Sequence, residues 1–144
     1  KHLKEEILPL ATIITPNVPE AEEIVSFKIL TEDDVNRAGK FIIDEVGCKS
    51  VVIKGGHLTG EAKDYLFLND GTKKVWTSER FKTNHTHGTG CTFSAVITAE
   101  LAKGKSIIEA VDIGKKFITA AIKYTPELGH GNGPVNHIAF KGDL

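Results

Sequence analysis

A glycine-rich turn that runs into a predicted helix carries the residues best suited to chemistry. The stretch reads His87-Gly88-Thr89-Gly90-Cys91-Thr92. Glycines allow backbone N–H groups to approach an anion closely, and the start of a helix stabilises negative charge. The same field favours the thiolate of Cys91, which suits a base or a nucleophile. The pattern predicts a phosphate or oxyanion site, and the alternative is a tight turn followed by a small buried thiol.

A lysine at the end of a predicted strand is the second candidate. Lys54 closes the run Ser50-Val51-Val52-Ile53 and is followed by Gly55, Gly56 and His57. Ligands of open α/β sheets bind beyond the carboxyl ends of the strands, where a lysine can hold a phosphate. The alternative is a solvated lysine beside a flexible loop.

Two polar residues after an earlier strand form the third candidate. Asn17 and Glu20 follow the apolar run at 11–15 and its closing Pro16. A carboxylate in this place can organise a hydrated magnesium ion. Acidic residues are also common in the first turn of a helix, so a purely structural role is an equal alternative.

Histidines near the glycine-rich turn raise two minor alternatives. A metal site would use His85, His87 and Cys91, with His57 nearby, but this spacing differs from the usual zinc ligand patterns. A cysteine–histidine hydrolase would use Cys91 activated by His57 or His87. No residue suggests itself as the third member that orients the base.

The overall composition is that of a folded globular chain. Of its 144 residues, 40% are hydrophobic and 26% are charged, which excludes intrinsic disorder. The net charge of −1 provides no polybasic surface, so neither nucleic acid nor a membrane is expected as a partner. No apolar run reaches the length of a membrane span, and we expect a cytoplasmic protein.

The first residue and the sulfur content carry further information. The chain opens at Lys1 inside a helical pattern and contains no methionine, so we expect it to be part of a longer protein. Two cysteines are too few for a disulfide scaffold. Cys48 follows Gly47 at a predicted helix end and is expected to pack in the core.

Alternating strand and helix patterns predict an α/β architecture in which a hairpin makes the sheet mixed. Capping boxes at Thr31–Asp34 and Ser106–Glu109 mark two helix starts, and Asp70-Gly71 marks the hairpin turn. Glycines and a proline at 129–134 predict a loop that wraps a site. The predicted elements are a helical tail at 1–10, strands at 11–15, 50–54, 63–68 and 73–77, and helices at 17–27, 31–46, 92–103 and 106–122.

Three of these stretches together resemble the hydroxymethylpyrimidine/phosphomethylpyrimidine kinases of thiamine biosynthesis, in the ribokinase superfamily. The stretches are Thr15-Pro16-Asn17-Val18-Pro19-Glu20-Ala21-Glu22, Val52-Ile53-Lys54-Gly55-Gly56-His57 and His87-Gly88-Thr89-Gly90-Cys91-Thr92. The ending from Gly129 to His137 is also similar to that of the family. The resemblance implies a ribokinase-like α/β fold, with a mostly parallel sheet flanked by helices and an antiparallel hairpin. Residues 1–144 would form the C-terminal portion of one kinase domain whose N-terminal half is absent from this chain.

The resemblance also implies roles for individual residues. Gly88, Thr89 and Gly90 would form the anion hole for the transferring phosphoryl group. Cys91 would be the catalytic base, at a position where most of the superfamily has aspartate.

Further residues would hold the nucleotide and its metal. Lys54, Thr89 and Lys115 would contact nucleotide phosphates. Asn17 and Glu20 match the superfamily's Asn-x-x-Glu element, in which Glu20 would bind Mg²⁺ through water.

The implied activity is ATP-dependent phosphorylation of hydroxymethylpyrimidine and then of its monophosphate. Half of such an enzyme should be inactive alone, so the missing N-terminal half is an expected partner, and related kinases commonly dimerise. A pyridoxine or pyridoxal kinase of the same superfamily is the nearest alternative. A non-catalytic nucleotide- or phosphate-binding module is the alternative from another class.

Overall fold

The computed structural model describes residues 2–55, 62–79, 81 and 83–141. The chain divides into two compact units, Lys1–Arg80 and Phe81–Leu144, and each is described by itself. The first unit contains the sheet and two helices. The second contains two long helices and the C-terminal segment.

The predicted helical tail is present at the start of the first unit. It consists of a π-helical turn at Leu3–Ile7 and a 3-10 turn at Leu8–Leu10. Leu8 is buried, and its carbonyl oxygen accepts a hydrogen bond from the Cys48 thiol at 3.4 Å.

Three strands form an antiparallel sheet in the order β1-β2-β3. They are β1 at Ser50–Lys54, β2 at Ala62–Leu68 and β3 at Lys73–Ser78. The expected turn joins β2 to β3, with Gly71 at a φ of +87°. Gly71 N–H donates to the Leu68 carbonyl at 3.1 Å.

The segment predicted as a strand at 11–15 is extended but is not a full strand. It pairs with β1 in parallel through single bridges, Ile14 with Val51 and Asn17 with Lys54. Pro16 accepts a hydrogen bond from Lys54 N–H at 2.9 Å but has no N–H to return, which interrupts the ladder. Parallel pairing among the described residues is therefore limited to the bridges, and the strands themselves are antiparallel.

The helices of the first unit start where the sequence predicts. Helix α1 spans Val18–Val25, with Pro19 in its first turn. Helix α2 spans Glu32–Asp44, and the Thr31–Asp34 capping box is present. The core between the helices and β1 contains Ala21, Val25, Ile29, Val35, Ala38, Ile42, Val51 and Ile53.

The second unit is built on two packed helices. Helix α3 spans Thr89–Ala102 and α4 spans Ile107–Lys123. The Ser106–Glu109 capping box starts α4 as predicted. Helix α3 starts three residues before the predicted Thr92, because Thr92 N–H already donates a helical hydrogen bond to Gly88 at 2.9 Å. The segment at 129–134 is irregular, as predicted.

We expect acid to weaken the start of α2 through Asp34. The N–H of Leu30, then the hydroxyl and N–H of Thr31, donate to this carboxylate and hold its pKa below the ordinary value. A lowered folded-state pKa stabilises the fold above the unfolded-state value, and this stabilisation is lost as pH falls through the folded-state value. In urea unfolding, the stability difference between wild type and Asp34→Asn should shrink from about pH 6 to about pH 3.

The exposed neighbour Asp33 gives the matched control, because its side chain takes no part in this capping box. The difference in unfolding free energy between wild type and Asp33→Asn should depend less on pH than the difference for Asp34→Asn. A difference for Asp34→Asn that stays constant across the range would contradict the assignment.

Candidate functional site

Asn17 and Glu20 form the capping box of α1. The Glu20 N–H donates to Asn17 Oδ1 at 2.8 Å, and the Asn17 N–H donates to Glu20 Oε2 at 2.8 Å. The sequence predicted a strand-to-helix turn here but not this reciprocal pair, although the spacing from N-cap to third helical residue was its signal. The arrangement holds the Glu20 carboxylate at the helix start, exposed to solvent.

Lys54 lies beside Asn17 at the end of β1. The two residues form a parallel bridge, and Lys54 N–H donates to the Pro16 carbonyl at 2.9 Å. The structure thus brings the second and third candidates, Lys54 and Asn17–Glu20, together in the first unit. Gly56 and His57, which belong to the same predicted loop, lie outside the described residues.

The backbone just after Lys54 is fixed by a residue that the sequence analysis missed. Asp64 on β2 is 8% exposed, and its Oδ1 accepts from Gly55 N–H at 3.2 Å. The same N–H donates to the Lys63 carbonyl at 2.8 Å, and a Cβ on Gly55 would collide with that oxygen. The signal was a carboxylate directly before the apolar run Tyr65-Leu66-Phe67-Leu68, because a carboxylate buried in such a strand needs a hydrogen-bond partner.

The glycine-rich turn of the second unit is a helix start. Gly88 is the N-cap of α3 and has a φ of +86°, a conformation that residues with a Cβ rarely adopt. Gly90 and Cys91 follow as the second and third helical residues, whose N–H groups have no acceptor within an α-helix. These donors and the positive helix end can bind an anion.

Thr89 uses both of its donors locally. Its N–H donates to the Thr86 carbonyl at 3.2 Å, and its hydroxyl donates to the same oxygen at 2.7 Å. A contact between this hydroxyl and a phosphate would require the hydroxyl to exchange its acceptor.

The two thiols lie in opposite environments. Cys91 is exposed in the first turn of α3. Cys48 is 1% exposed, and burial raises the pKa of its thiol. The prediction that Cys48 packs in the core is confirmed, and Cys91 is the thiol that a substrate can reach.

Residues 125–137, which we call the strap, return from the end of α4 to the glycine-rich turn. Asn136 anchors the strap on α4: its N–H donates to Ala121 at 2.9 Å and its amide to the Tyr124 carbonyl at 2.8 Å. The loop predicted to wrap a site therefore lies against the candidate anion site.

The strap pairs with the residue that precedes Gly88. His87 N–H donates to the Gly133 carbonyl at 3.1 Å, and Val135 N–H donates to the His87 carbonyl at 3.3 Å. A Cβ on Gly133 would collide with the His85 ring and lie 2.6 Å from the Leu128 carbonyl. The Nδ1 of that ring is buried, with no hydrogen-bond partner among the described residues.

A side-chain contact closes the strap on α3. His137 Nε2 lies 2.9 Å from the hydroxyl of Thr92, the residue after Cys91. The sequence marked the ending of the strap but not this pair, because one sequence carries no signal for a contact between residues 45 positions apart.

Lys115 lies on α4, where α4 packs closely on α3. The packing depends on Gly114, since a Cβ there would come within 3.0 Å of Phe93 and 3.1 Å of Ile97. The Lys115 Nζ lies 6.0 Å from the centre of the Phe93 ring. Lys115 therefore belongs to the same unit as the glycine-rich turn, and its contact with a nucleotide stays a prediction.

An open groove of about 430 Å³ runs along α3 from its first turn. Its walls are mainly apolar, so it offers few ligands to an anion. The lining residues are Cys91, Thr92, Ala95, Val96, Ala99, Phe117 and His137. An anion is better held by the helix end than by this groove.

The described residues contain neither a cluster of metal ligands nor a membrane-spanning helix. Among residues 2–55, 62–79, 81 and 83–141, no three His, Cys, Asp or Glu side chains converge as metal ligands. The proposed ligand or base His57 lies outside these ranges. No helix in the described part of the chain has the length and apolar character needed to cross a membrane.

A known family matches almost the whole chain. The model of the phosphomethylpyrimidine kinase family covers residues 1–136. The hydroxymethylpyrimidine/phosphomethylpyrimidine kinase of Staphylococcus aureus MSSA476 is 58% identical over 142 residues, which cover 97% of this chain and 51% of that protein. The chain spans about half the length of the first curated relatives that it matches.

Solved structures of kinases share the fold. Bacillus subtilis pyridoxal kinase in an ADP complex has a TM-score of 0.87 and 46% identity, covering 95% of this chain and 54% of that one. Staphylococcus aureus pyridoxal kinase with AMP-PCP and pyridoxal has a TM-score of 0.89 and 37% identity, covering 96% and 52%. Clostridium difficile phosphomethylpyrimidine kinase has a TM-score of 0.70 and 48% identity, covering 83% and 47%. The expected ribokinase-like α/β fold is confirmed, and this chain belongs to the phosphomethylpyrimidine kinase family.

Proposed function

We propose that the protein containing this chain phosphorylates the hydroxymethyl group of hydroxymethylpyrimidine and then its monophosphate, with ATP as donor. The observation that carries the proposal is the start of α3. There, Gly88 leads directly into the N–H groups of Gly90 and Cys91, for which an α-helix offers no acceptor, and the exposed thiol of Cys91. An anion site next to a candidate base is what phosphoryl transfer to an alcohol requires.

The glycine-rich turn would stabilise the charge that moves during transfer. The N–H groups of Gly90 and Cys91 point from the positive end of α3, where phosphoryl oxygens would bind. Gly88 gives the backbone its turn into the helix, and the hydroxyl of Thr89 would exchange Thr86 for a phosphate oxygen. The backbone donors of Gly90 and Cys91 are fixed before substrate arrives, so little backbone reorganisation opposes the transition state.

Cys91 would act as the base in a single displacement. The substrate hydroxyl oxygen forms a bond to the γ-phosphorus while the bond from that phosphorus to the bridging oxygen breaks, and ADP leaves. The hydroxyl proton passes to the Cys91 sulfur.

Lys54 and Lys115 would bind the phosphates of the nucleotide as point charges. The likeness to structures with bound ADP and AMP-PCP supports nucleotide binding by this fold.

The capping box offers a donor set that fits magnesium. Mg²⁺ retains several waters and uses one or two carboxylates together with phosphate oxygens. Glu20 presents one exposed carboxylate whose Oε2 is held by Asn17 N–H, which suits binding through water. When bound, the ion would neutralise phosphate charge, and Asn17 would keep the Glu20 carboxylate in place.

A pyridoxal kinase activity is the second candidate, since two of the similar structures are pyridoxal kinases. Identity to the pyrimidine kinase of Staphylococcus aureus is higher, 58% against 46% for the pyridoxal kinase of Bacillus subtilis. This favours the pyrimidine. Turnover of the two alcohols under matched conditions decides between them, and faster turnover of pyridoxal would reverse the assignment.

Retention of both Cys91 and Lys54 argues against a non-catalytic binding module.

The length of the relatives supports a proposal about the whole protein. Residues 1–144 would be the C-terminal portion of one kinase domain, completed by an N-terminal half in a cytoplasmic enzyme that forms dimers. Intact mass and light scattering of the purified protein test this. A stable, monomeric species of 15.6 kDa would contradict it.

Replacing Cys91 with alanine should nearly abolish phosphoryl transfer in the complete enzyme. Removal of a general base typically costs about 10²–10⁴-fold in rate. Binding of ATP should persist, because the backbone donors and both lysines remain. Steady-state turnover and calorimetric titration with ATP measure the two effects. Cys48→Ala is the control that also removes a thiol, and near-normal kcat in Cys91→Ala would refute the base assignment.

Replacing Lys54 with methionine should weaken ATP binding while the fold is retained. The side chain keeps its length but loses the charge that would hold a phosphate. Lys49→Met is the matched control, because Lys49 is exposed just before the other end of β1. The KM for ATP should rise about 10-fold for Lys54→Met, as expected for the loss of one charged hydrogen bond, and stay constant for Lys49→Met. Equal KM values in the two variants would argue against a phosphate contact.

A further inference from the structure

We propose that the strap positions the anion site and that His137 is its positioning residue, acting through Thr92. The inference rests on the proposed phosphoryl transfer at the start of α3. His137 is assigned no contact with the reacting groups. Its effect would pass through the Thr92 hydroxyl to the first turn of the helix.

The strap is fixed on α4 before it reaches the turn. Asn136 is bonded to Ala121 and Tyr124 by backbone and side chain, at 2.9 and 2.8 Å. The Thr125 hydroxyl donates to the Pro134 carbonyl at 3.2 Å and ties the start of the strap to its end. Because both parts are held, His137 is attached to a rigid helix rather than to a free terminus.

The strap holds the glycine-rich turn on its entry side. Its Gly133 carbonyl and Val135 N–H make a two-bond bridge with His87. The next residue, Gly88, has a positive φ that backbone contacts must maintain. The bridge therefore limits the direction from which the chain enters α3.

His137 holds the turn on its helical side. Thr92 is 8% exposed, and its hydroxyl lies 2.9 Å from His137 Nε2. The same hydroxyl lies 4.0 Å from where a Cβ on Gly88 would be. Thr92 follows Cys91 directly, so a rotation of this turn would move both the thiol and the N–H donors.

Catalysis is sensitive to such movements. Donors that stabilise charge in the transition state must keep their geometry to within about 0.5 Å. Loss of the His137 contact should therefore lower kcat more than it raises the KM for ATP, because nucleotide is also held by groups outside this turn.

The test is a double-mutant cycle in the complete enzyme. The variants are Thr92→Val, which removes the hydroxyl at nearly constant shape, His137→Ala and the combination. We expect each single variant to lower kcat about 10-fold with little change in the KM for ATP, as for a small displacement of reacting groups. The double variant should be no slower than the slower single variant, because both changes break one contact.

Two further variants separate positioning from a general effect of the strap. His137→Gln should recover most of the activity, because its amide can reach the Thr92 hydroxyl. His130→Ala changes an exposed histidine of the same strap and should behave as wild type. Additive losses in the double variant, no rescue by glutamine, or an equal loss in His130→Ala would overturn the proposal.

The same double-mutant cycle, measured by thermal unfolding, distinguishes failure of this proposal from failure of the proposed function. If wild type does not phosphorylate the pyrimidine, the proposed function fails, and coupling between Thr92 and His137 is read from the unfolding free energies alone. We expect a non-zero coupling. Independent, additive effects on unfolding would refute the contact whatever the substrate.

Two glycine variants test the strap without changing Thr92 or His137. Gly133→Ala would force the strap away from the His85 ring and the Leu128 carbonyl, so kcat should fall. Gly131→Ala meets no atom within 4 Å and should leave kcat unchanged. Equal kcat in the two variants would contradict a role for strap position.

Discussion

The conformation of Gly88 is the constraint on which the candidate site depends. Its positive φ turns the chain into α3, so the helix begins at Thr89 and the N–H groups of Gly90 and Cys91 lie in its first turn, where a helix offers them no acceptor. A side chain there would cost about 1–2 kcal/mol in backbone strain. The strap bridge at His87 holds the residue before this turn, and Gly114 of α4 packs against Phe93 further along α3. The proposed anion site thus depends on one backbone conformation at the helix end.

Local patterns allowed much of the structure to be predicted. The Thr31–Asp34 and Ser106–Glu109 boxes gave two helix starts, and Asp70-Gly71 gave the hairpin turn, because each depends on neighbours in sequence. Lys54 and Cys91 were placed at a strand end and a helix start for the same reason. The assignment of chemistry to them needed the family resemblance, since helix starts and strand-end lysines occur in many proteins without active sites.

The features that could not be predicted depend on contacts between residues far apart in the sequence or on exact backbone geometry. His137 and Thr92 are 45 positions apart, and only the fold brings them together. The start of α3 differed from the prediction because the glycines at 88 and 90 have low helix propensity, whereas in the structure the Thr92 N–H donates to the Gly88 carbonyl and the helix begins at Thr89. The segment before Pro16 was predicted as a strand, but Pro16 has no N–H, which limits the pairing of this segment with β1 to single bridges.

The exposure of Cys91 has a consequence for the conditions under which the proposed base can work. The chain contains no methionine and only two cysteines, and Cys48 is buried. Oxidants and electrophiles that meet this chain will therefore react first at the sulfur proposed as the base. Such a thiol is oxidised through sulfenic acid to forms that cannot accept a proton. An aspartate in its place would be immune to this oxidation, so the proposed cysteine base would make phosphoryl transfer depend on a reducing environment.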